Sequence, residues 1–342
     1  MQLEFINDGD VVRLHPDSHA AILAEPPWER HAIFHAVCQQ MFQQQRPHGA
    51  AGACPLGAQG FEVHRNCLDV SDGRVNAAIT QSLESLGPEG GAHGPASPGG
   101  ADMVVRVPMS SALTDLLRPA LNQIMSDTVV SAMESYFGSY FRIYSSIVYR
   151  THAFADGQVP QAQDSSNLHP SFTWHRDTAP MAQVHLMAYL TDSGPESGAT
   201  LFLDLAQTTR AASLGYHYEA FEDRLIEMDS VFAQVDLVPT VNCPDLQAGD
   251  AVSFAAPRLL HKGRFPLRGY RDSFTLVLLP SMTPWDQDIS MYGDAHIFEN
   301  ITSATLNTDP FESLCPLIDA EAGRELPRRN QWVYAGGLMP YT

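Results

Sequence analysis

Apolar residues recur every three or four positions along much of the first part of the chain, which is the spacing of amphipathic helices. One such segment runs from about 26 to 45, and a second runs from 110 to 136. Pro119 lies inside the second segment, so we expect that helix to start later or to be kinked. Residues 86–102 are rich in Gly and Pro, and they predict a flexible loop that could act as a flap over a site. Residues 1–140 are therefore predicted to be mostly helical.

From about residue 141 the pattern changes to short apolar and β-branched runs, which are typical of strands. There are eight such runs, the number that a two-sheet jelly roll requires. We therefore predict a mainly β fold with flanking helices and a cupin-like jelly-roll core. The candidate strands are 141–151, 171–177, 182–191, 199–204, 233–241, 250–255, 258–264 and 273–280.

An insertion and a C-terminal extension complete this predicted architecture. Residues 207–231 separate the fourth and fifth candidate strands, and their later part, Tyr218 to Asp229, has a helical pattern. This insertion could cover the mouth of the barrel. Residues 283–342 are expected to pack on the core as an extension. The prediction is one domain over 1–342, with its β core at 141–282.

The composition is that of a globular protein, with 44% hydrophobic and 17% charged residues. The formal net charge of −19, with only 20 Lys plus Arg, argues against nucleic acid as a partner, because phosphate contacts need clustered basic residues. No apolar run is long enough to span a bilayer, and the acidic N-terminus lacks the order of a secretory signal. Five cysteines without CxxC spacing fit a reduced protein. We therefore expect a cytoplasmic protein that binds no membrane, and its oligomeric state stays open.

Two histidines and one aspartate have the spacing of a metal site. His175 and Asp177 form a His-x-Asp pair, and His261 follows further along the chain. Side chains at i and i+2 of an extended strand point to the same face, so this pair can reach one ion. Two imidazoles and one carboxylate on one face of a metal form the ligand set of non-haem Fe(II) oxygenases. His169 and His185 are expected near this site, but not as ligands.

A nearby arginine could hold an anionic co-substrate. Arg271 and Ser273 stand two apart, so guanidinium and hydroxyl share a strand face and could hold one carboxylate of a dicarboxylate. The alternative is a surface salt bridge between Arg271 and Asp272, which would contribute little. In that case Arg268 or Arg264 would take the place of Arg271.

These residues lie in longer motifs that resemble the 2-oxoglutarate- and Fe(II)-dependent dioxygenases, a superfamily with a double-stranded β-helix core. The stretch from about 141 to 281 carries the resemblance. Four segments resemble its phytanoyl-CoA hydroxylase branch: Trp174-His175-Arg176-Asp177 its WHxD segment, Leu190 to Thr200 its turn between core strands, Ala248 to Phe254 its Gly-Asp strand, and Arg271-Asp272-Ser273 its Arg-x-Ser pair.

Two segments depart from that branch. Leu203-Asp204-Leu205-Ala206 stands where the branch usually has Pro-Gly-Ser-His. Gly198 to Phe202 is instead similar to the taurine dioxygenase branch, in which the residue matching Thr200 touches the co-substrate. The implied ligands of Fe(II) are His175, Asp177 and His261, and the implied contacts of 2-oxoglutarate are Arg271, Ser273 and Thr200. Tyr149 and Arg150, which end a candidate strand near the site, are further candidates to touch a carboxylate.

The resemblance implies an enzyme that consumes O2 and 2-oxoglutarate, releases succinate and CO2, and hydroxylates an unactivated C–H bond of a small molecule. The expected substrate is a small molecule of secondary metabolism, or a free or modified amino acid. Desaturation, epoxidation and ring closure would use the same residues. Asp177 disfavours halogenation, because related halogenases have Ala or Gly at the matching position. A cupin-like metalloenzyme that does not use 2-oxoglutarate, and a non-enzymatic binding protein with a degenerate barrel, are the alternatives.

Overall fold

A central antiparallel sheet has helices on one face and a small two-stranded sheet on the other. The computed structural model describes residues 5–8, 11–46, 54–85, 103–153, 169–177, 179–217 and 223–298. Its strands are β1 (Phe5–Asp8), β2 (Val11–Leu14), β3 (Phe61–His64), β4 (Val104–Arg106), β5 (Tyr140–His152), β6 (Val184–Tyr189), β7 (Thr200–Phe202), β8 (Ala251–Phe254), β9 (His261–Gly263) and β10 (Tyr270–Ser281). Its α-helices are α1 (Pro16–Leu23), α2 (Pro27–Gln45), α3 (Pro55–Gln59), α4 (Arg74–Glu84), α5 (Ser111–Ile124), α6 (Asp127–Phe137), α7 (Leu205–Ser213), α8 (Asp229–Phe232), α9 (Trp285–Tyr292) and α10 (Ala295–Phe298).

The main sheet has the strand order β3-β8-β6-β10-β5-β4, and each neighbouring pair is antiparallel. Its two longest strands, β5 and β10, pair along their whole length, with one irregularity between Val277 and Leu278. Strands β7 and β9 form the small sheet, and β1 and β2 form a separate hairpin. This arrangement confirms the prediction of an antiparallel β core with flanking helices.

The side chains of β10 alternate between two different environments. Phe274, Leu276 and Leu278 point towards α4, α5 and α6 and belong to the largest hydrophobic core. Arg271 and Ser273 are also buried, but they lie on the opposite face, towards the small sheet. Arg271 and Ser273 are thus separated from the apolar core and face the space between the two sheets.

The predicted strand at 171–177 is wrong. Pro170–Phe172 form a 3-10 turn, and His169 caps it by accepting a hydrogen bond from the Ser171 N–H. Proline has no N–H to donate to a strand ladder and is suited to the first position of such a turn. His175 makes only a single β-bridge, with His261.

The predicted strand at 233–241 is also wrong. Helix α8 ends just before this segment, a 3-10 turn at Ala233–Val235 occupies its first part, and Asp236 follows with a positive φ of 53°. Pro239 lacks the N–H that a paired strand needs. The large apolar residues of this segment do not form a buried strand face, because they are exposed: Leu237, Val238 and Val241.

The other six candidate strands are confirmed as β5 to β10, with shifted ends. The prediction for residues 1–140 missed β3 and β4, which form the two edges of the main sheet. Helix α2 confirms the first predicted helix. The second, 110–136, is divided into α5 and α6 at Met125–Ser126 rather than at Pro119. Pro119 lies on the exposed side of α5, where water can bind the backbone carbonyl that loses its partner.

The insertion begins within α7. The α-helix predicted for its later part does not form at residues 223–228, and residues 218–222 lie outside the described part of the chain. The expected flap at 86–102 lies outside it as well. In the described part of the C-terminal extension, α9 and α10 pack on β5, and Ile297 and Phe298 enter the core. None of the described helices has the length and apolar character needed to cross a membrane.

Candidate metal centre

His175, Asp177 and His261 meet between the two sheets. Reciprocal backbone hydrogen bonds of 3.0 and 2.9 Å join His175 to His261, and the Asp177 N–H donates to the Ala256 carbonyl at 3.0 Å. Asp177 Oδ1 lies 3.5 Å from His175 Nε2 and 3.7 Å from His261 Nε2, and the three ligand atoms lie within 4.8 Å of one another. Ligands that bind one metal at about 2.1 Å and at right angles are roughly 3 Å apart, so the observed separations are close to those of a shared ion.

Both imidazoles are held in the tautomer that a metal needs. Nδ1 of His175 lies 2.7 Å from the Thr173 carbonyl, and Nδ1 of His261 lies 2.9 Å from the Leu259 carbonyl. A carbonyl oxygen only accepts hydrogen bonds, so Nδ1 carries the proton in each ring. The Nε2 lone pairs therefore face Asp177. Hydrogen bonds of this kind orient the histidines of metal sites.

The electrostatics keep these groups in their metal-binding forms. Burial, helped by the neighbouring His175, lowers the pKa of His261 to about 3, so this ring is neutral at physiological pH. Burial by itself raises the pKa of Asp177. The neighbouring rings of His175, His261 and His185 outweigh that effect and hold the pKa of this carboxyl below its usual range. A neutral imidazole at His261 and an ionised carboxylate at Asp177 result, and both forms are suited to a divalent cation.

Arg271 is buried on the inter-sheet face, with 7% of its surface exposed. Its Nη1 donates to the Gly198 carbonyl at 2.5 Å and its Nη2 to Thr151 Oγ1 at 3.1 Å, while Nε has no hydrogen-bond partner in the part of the chain that the structure describes. No carboxylate of the described residues pairs with it. Asp272, the partner in the alternative interpretation, instead accepts two bonds of 2.7 Å from Arg150 on the other face. The surface salt bridge between Arg271 and Asp272 is therefore wrong.

Three of the other residues predicted to contact the co-substrate lie on the same face as Arg271. Ser273 is buried and stands opposite Tyr149 of β5 and Tyr189 of β6. Thr200 Oγ1 accepts a hydrogen bond of 3.0 Å from the Tyr189 hydroxyl. Burial raises the pKa of Tyr149; the positive charge of Arg106 opposes this effect, and the negative charge of Asp177 adds to it. The structure thus brings four of the five candidates to the space between the sheets, whereas the fifth, Arg150, lies on the other face and binds Asp272.

Sequence reasoning missed three side chains of this space. Thr275 stands two residues beyond Ser273, and its buried hydroxyl has no hydrogen-bond partner among the described residues. The period of two along β10 was the signal that could have found it. The Cζ atom of Arg271 lies 5.9 Å from the centre of the Tyr189 ring, and this contact depends on the register of β6 and β10. Gln183 Nε2 lies 2.9 Å from Nε2 of His185, whose Nδ1 in turn lies 3.6 Å from Asp177 Oδ2.

No protein-family model and no curated protein sequence matches this chain. Similar solved structures include the non-heme alpha ketoglutarate dependent carbocyclase SnoK from nogalamycin biosynthesis (16% identity, 69% of this chain and 87% of that chain, TM-score 0.42). They also include EctD from S. alaskensis with 2-oxoglutarate and 5-hydroxyectoine (12%, 68% and 78%, TM-score 0.43) and HygX from Streptomyces hygroscopicus with nickel, 2-oxoglutarate and hygromycin B bound (17%, 67% and 86%, TM-score 0.36). At these low TM-scores, the function has to be inferred from the site of this chain itself.

Proposed function

We propose that the protein is a non-haem Fe(II)- and 2-oxoglutarate-dependent oxygenase that hydroxylates an unactivated C–H bond of a small molecule, with release of succinate and CO2. One observation carries the proposal. Two imidazole Nε2 atoms and one carboxylate converge in the inter-sheet space, and the buried guanidinium of Arg271, which pairs with no carboxylate of the described residues, faces that space from β10. In the same proposal, the main and small sheets are the two sides of a double-stranded β-helix.

His175, Asp177 and His261 would hold the iron. Three protein ligands leave room in the coordination sphere for a co-substrate and O2, and the bound iron then supplies the oxidative chemistry. The contribution of this chain is orientation. The carbonyls of Thr173 and Leu259 fix both rings, and the backbone bonds between the two histidines hold them side by side.

Arg271 would bind the carboxylate of 2-oxoglutarate that is remote from the metal. An isolated buried cation carries a desolvation cost of several kcal/mol, which a bound carboxylate would offset. The Arg271 Nε–H has no partner in the described protein and could donate to that carboxylate. Ser273, two residues further along β10 on the same face, adds a second polar group. A charge-assisted pair of this kind is strong when it is shielded from water.

The remaining polar groups would orient the co-substrate along the sheet. The register of β6 and β10 places Tyr189 beside Ser273, and His185 beside Val277 further along the strand. Thr200 closes the space from the small sheet through its bond with Tyr189. An elongated dicarboxylate lying from Arg271 towards the histidines would therefore contact polar groups along its length.

The test is an anaerobic titration of the protein with Fe(II) and then 2-oxoglutarate. We expect the weak visible charge-transfer band of an iron–2-oxoglutarate chelate in the wild-type protein and no band in His261→Ala. A folded wild-type protein that binds iron but shows no band would refute the proposal and favour a metalloenzyme that does not use 2-oxoglutarate. A screen for succinate release would then identify substrates, and the product mass would separate hydroxylation, which adds one oxygen atom, from desaturation, which removes two hydrogen atoms.

A further inference from the structure

The segment that carries His175 and Asp177 is also held by the insertion. Among the described residues, His175 makes its only β-bridge with His261, and the small sheet behind it has strands of three residues. Such short pairing does not fix the spacing of two side chains by itself. The described parts of the insertion, residues 207–217 and 223–231, supply the additional contacts.

Tyr216 of the insertion satisfies the backbone beside the first histidine. Its hydroxyl donates to the Trp174 carbonyl at 2.7 Å and accepts from the Leu225 N–H at 3.0 Å. The Trp174 N–H donates to the Leu225 carbonyl at 2.8 Å. Both backbone polar groups of the residue that precedes His175 are thus bonded to the insertion.

The insertion also contacts Lys262, the residue that follows His261. Lys262 Nζ donates to the Ile226 carbonyl and lies 3.2 Å from Glu227 Oε1. Its ammonium also lies 5.3 Å from the centre of the Trp174 ring. The neighbours of His175 and His261 are therefore tied to one short stretch of chain.

These contacts lie behind the histidines. Trp174 precedes His175 and Lys262 follows His261, so their side chains point away from the face that the imidazoles use. Trp174 and Tyr216 pack in a separate hydrophobic cluster with Met228 and Phe232. The described insertion therefore covers the outer side of the small sheet, which differs from the expected cover over the barrel mouth.

We infer that Tyr216 is a positioning residue of the metal centre: through Trp174 it sets the position of His175 relative to His261. This inference rests on the proposed function. Metal ligands have to be held within about half an ångström of their productive positions. Loss of a group that supports a ligand commonly weakens metal binding by about 10–100-fold.

The test compares wild type, Tyr216→Phe and the matched control Ser213→Ala as full-length proteins. The Tyr216→Phe change keeps the ring in its cluster and removes the bridging hydroxyl. Ser213→Ala removes a hydroxyl of the same insertion that bonds only the Arg210 carbonyl, on the exposed side of α7. Each protein is titrated with Co(II), whose visible spectrum reports the coordination geometry, at a temperature where circular dichroism shows it to be folded.

We expect the Kd for Co(II) to rise about tenfold or more in Tyr216→Phe, with an altered spectrum, and to be unchanged in Ser213→Ala. A merely structural role would lower the Tm of the variant and leave the Kd and spectrum of the folded protein as in wild type, which would overturn the inference alone. If wild type itself gives no cobalt spectrum, the proposed metal site and the inference fail together. If Tyr216→Phe does not fold, Lys262→Met is judged by the same criteria, because it removes the second link to the insertion and keeps an unbranched apolar stem.

Discussion

Replacing Arg271 by Met should abolish tight binding of 2-oxoglutarate and leave the apo-protein folded. Met retains an unbranched apolar stem in a buried position and removes the charge. The guanidinium donates to the Gly198 carbonyl and the Thr151 hydroxyl and pairs with no carboxylate of the described residues. The substitution therefore breaks no ion pair within that part of the protein.

Losing one partner of a buried, hydrogen-bonded charge pair costs about 2–5 kcal/mol. Since about 1.4 kcal/mol corresponds to a tenfold change in affinity, the Kd of 2-oxoglutarate should rise by about thirtyfold to a few thousandfold. The free energy of unfolding of the apo-protein should change by at most about 1–2 kcal/mol. Two lost hydrogen bonds lower it, and removal of a buried charge without a counterion raises it.

The assay is isothermal titration calorimetry of the Co(II)-loaded protein without oxygen. Wild type should prefer 2-oxoglutarate to 2-oxobutyrate, which lacks the remote carboxylate, and Arg271→Met should bind both alike. Arg268→Met is the matched control, because this arginine precedes β10 and is exposed. Wild-type affinity in Arg271→Met, or loss of affinity in the control instead, would refute the assignment.

Four further substitutions test other parts of the structure. His261→Ala should remove the metal site, whereas His185→Ala should keep it. His185 Nδ1 lies 3.6 Å from Asp177 Oδ2, but His185 does not belong to the ligand cluster. Equal losses of Co(II) affinity in the two variants would contradict this prediction. Arg150→Met should lower the free energy of unfolding by about 3–5 kcal/mol, because it leaves the Asp272 carboxylate buried and unpaired; a change below about 1 kcal/mol on chemical denaturation would argue against it. Burial lowers the pKa of His64 from 6.5 to about 4, so the unfolded chain binds more protons in this range, and the free energy of unfolding should fall as the pH drops through it. His64→Gln should remove up to about 1.4 kcal/mol per pH unit of that fall, and an unchanged pH profile would speak against the assignment.

Local spacing was sufficient to select the residues that the structure brings to the space between the sheets. His175 and Asp177 are two apart, as are Arg271 and Ser273, and each pair was predicted to share a face. The second pair does so within β10, as expected. The first does so without a strand, because the bridge to His261 and the backbone bond of Asp177 hold both side chains towards the same point.

Pairing between distant segments could not be predicted in this way. Tyr189 meets Arg271 because β6 pairs with β10 in one particular register, and a shift by one residue would turn it to the other face. The apolar alternation of 233–241 predicted a strand, but no neighbouring strand pairs with it and its large apolar residues are exposed. A periodic pattern shows that a segment can pair, and not whether a partner is available.

By itself, the sequence determined the donor groups of this protein, because residue types and short spacings are local properties of the chain. The tertiary structure decided how those groups are used. Asp272 is neutralised by Arg150 of β5, which leaves Arg271 buried without a carboxylate partner in the described protein. That assignment of partners depends on which strands pair and which face each side chain takes, and both follow from contacts between residues far apart in the chain.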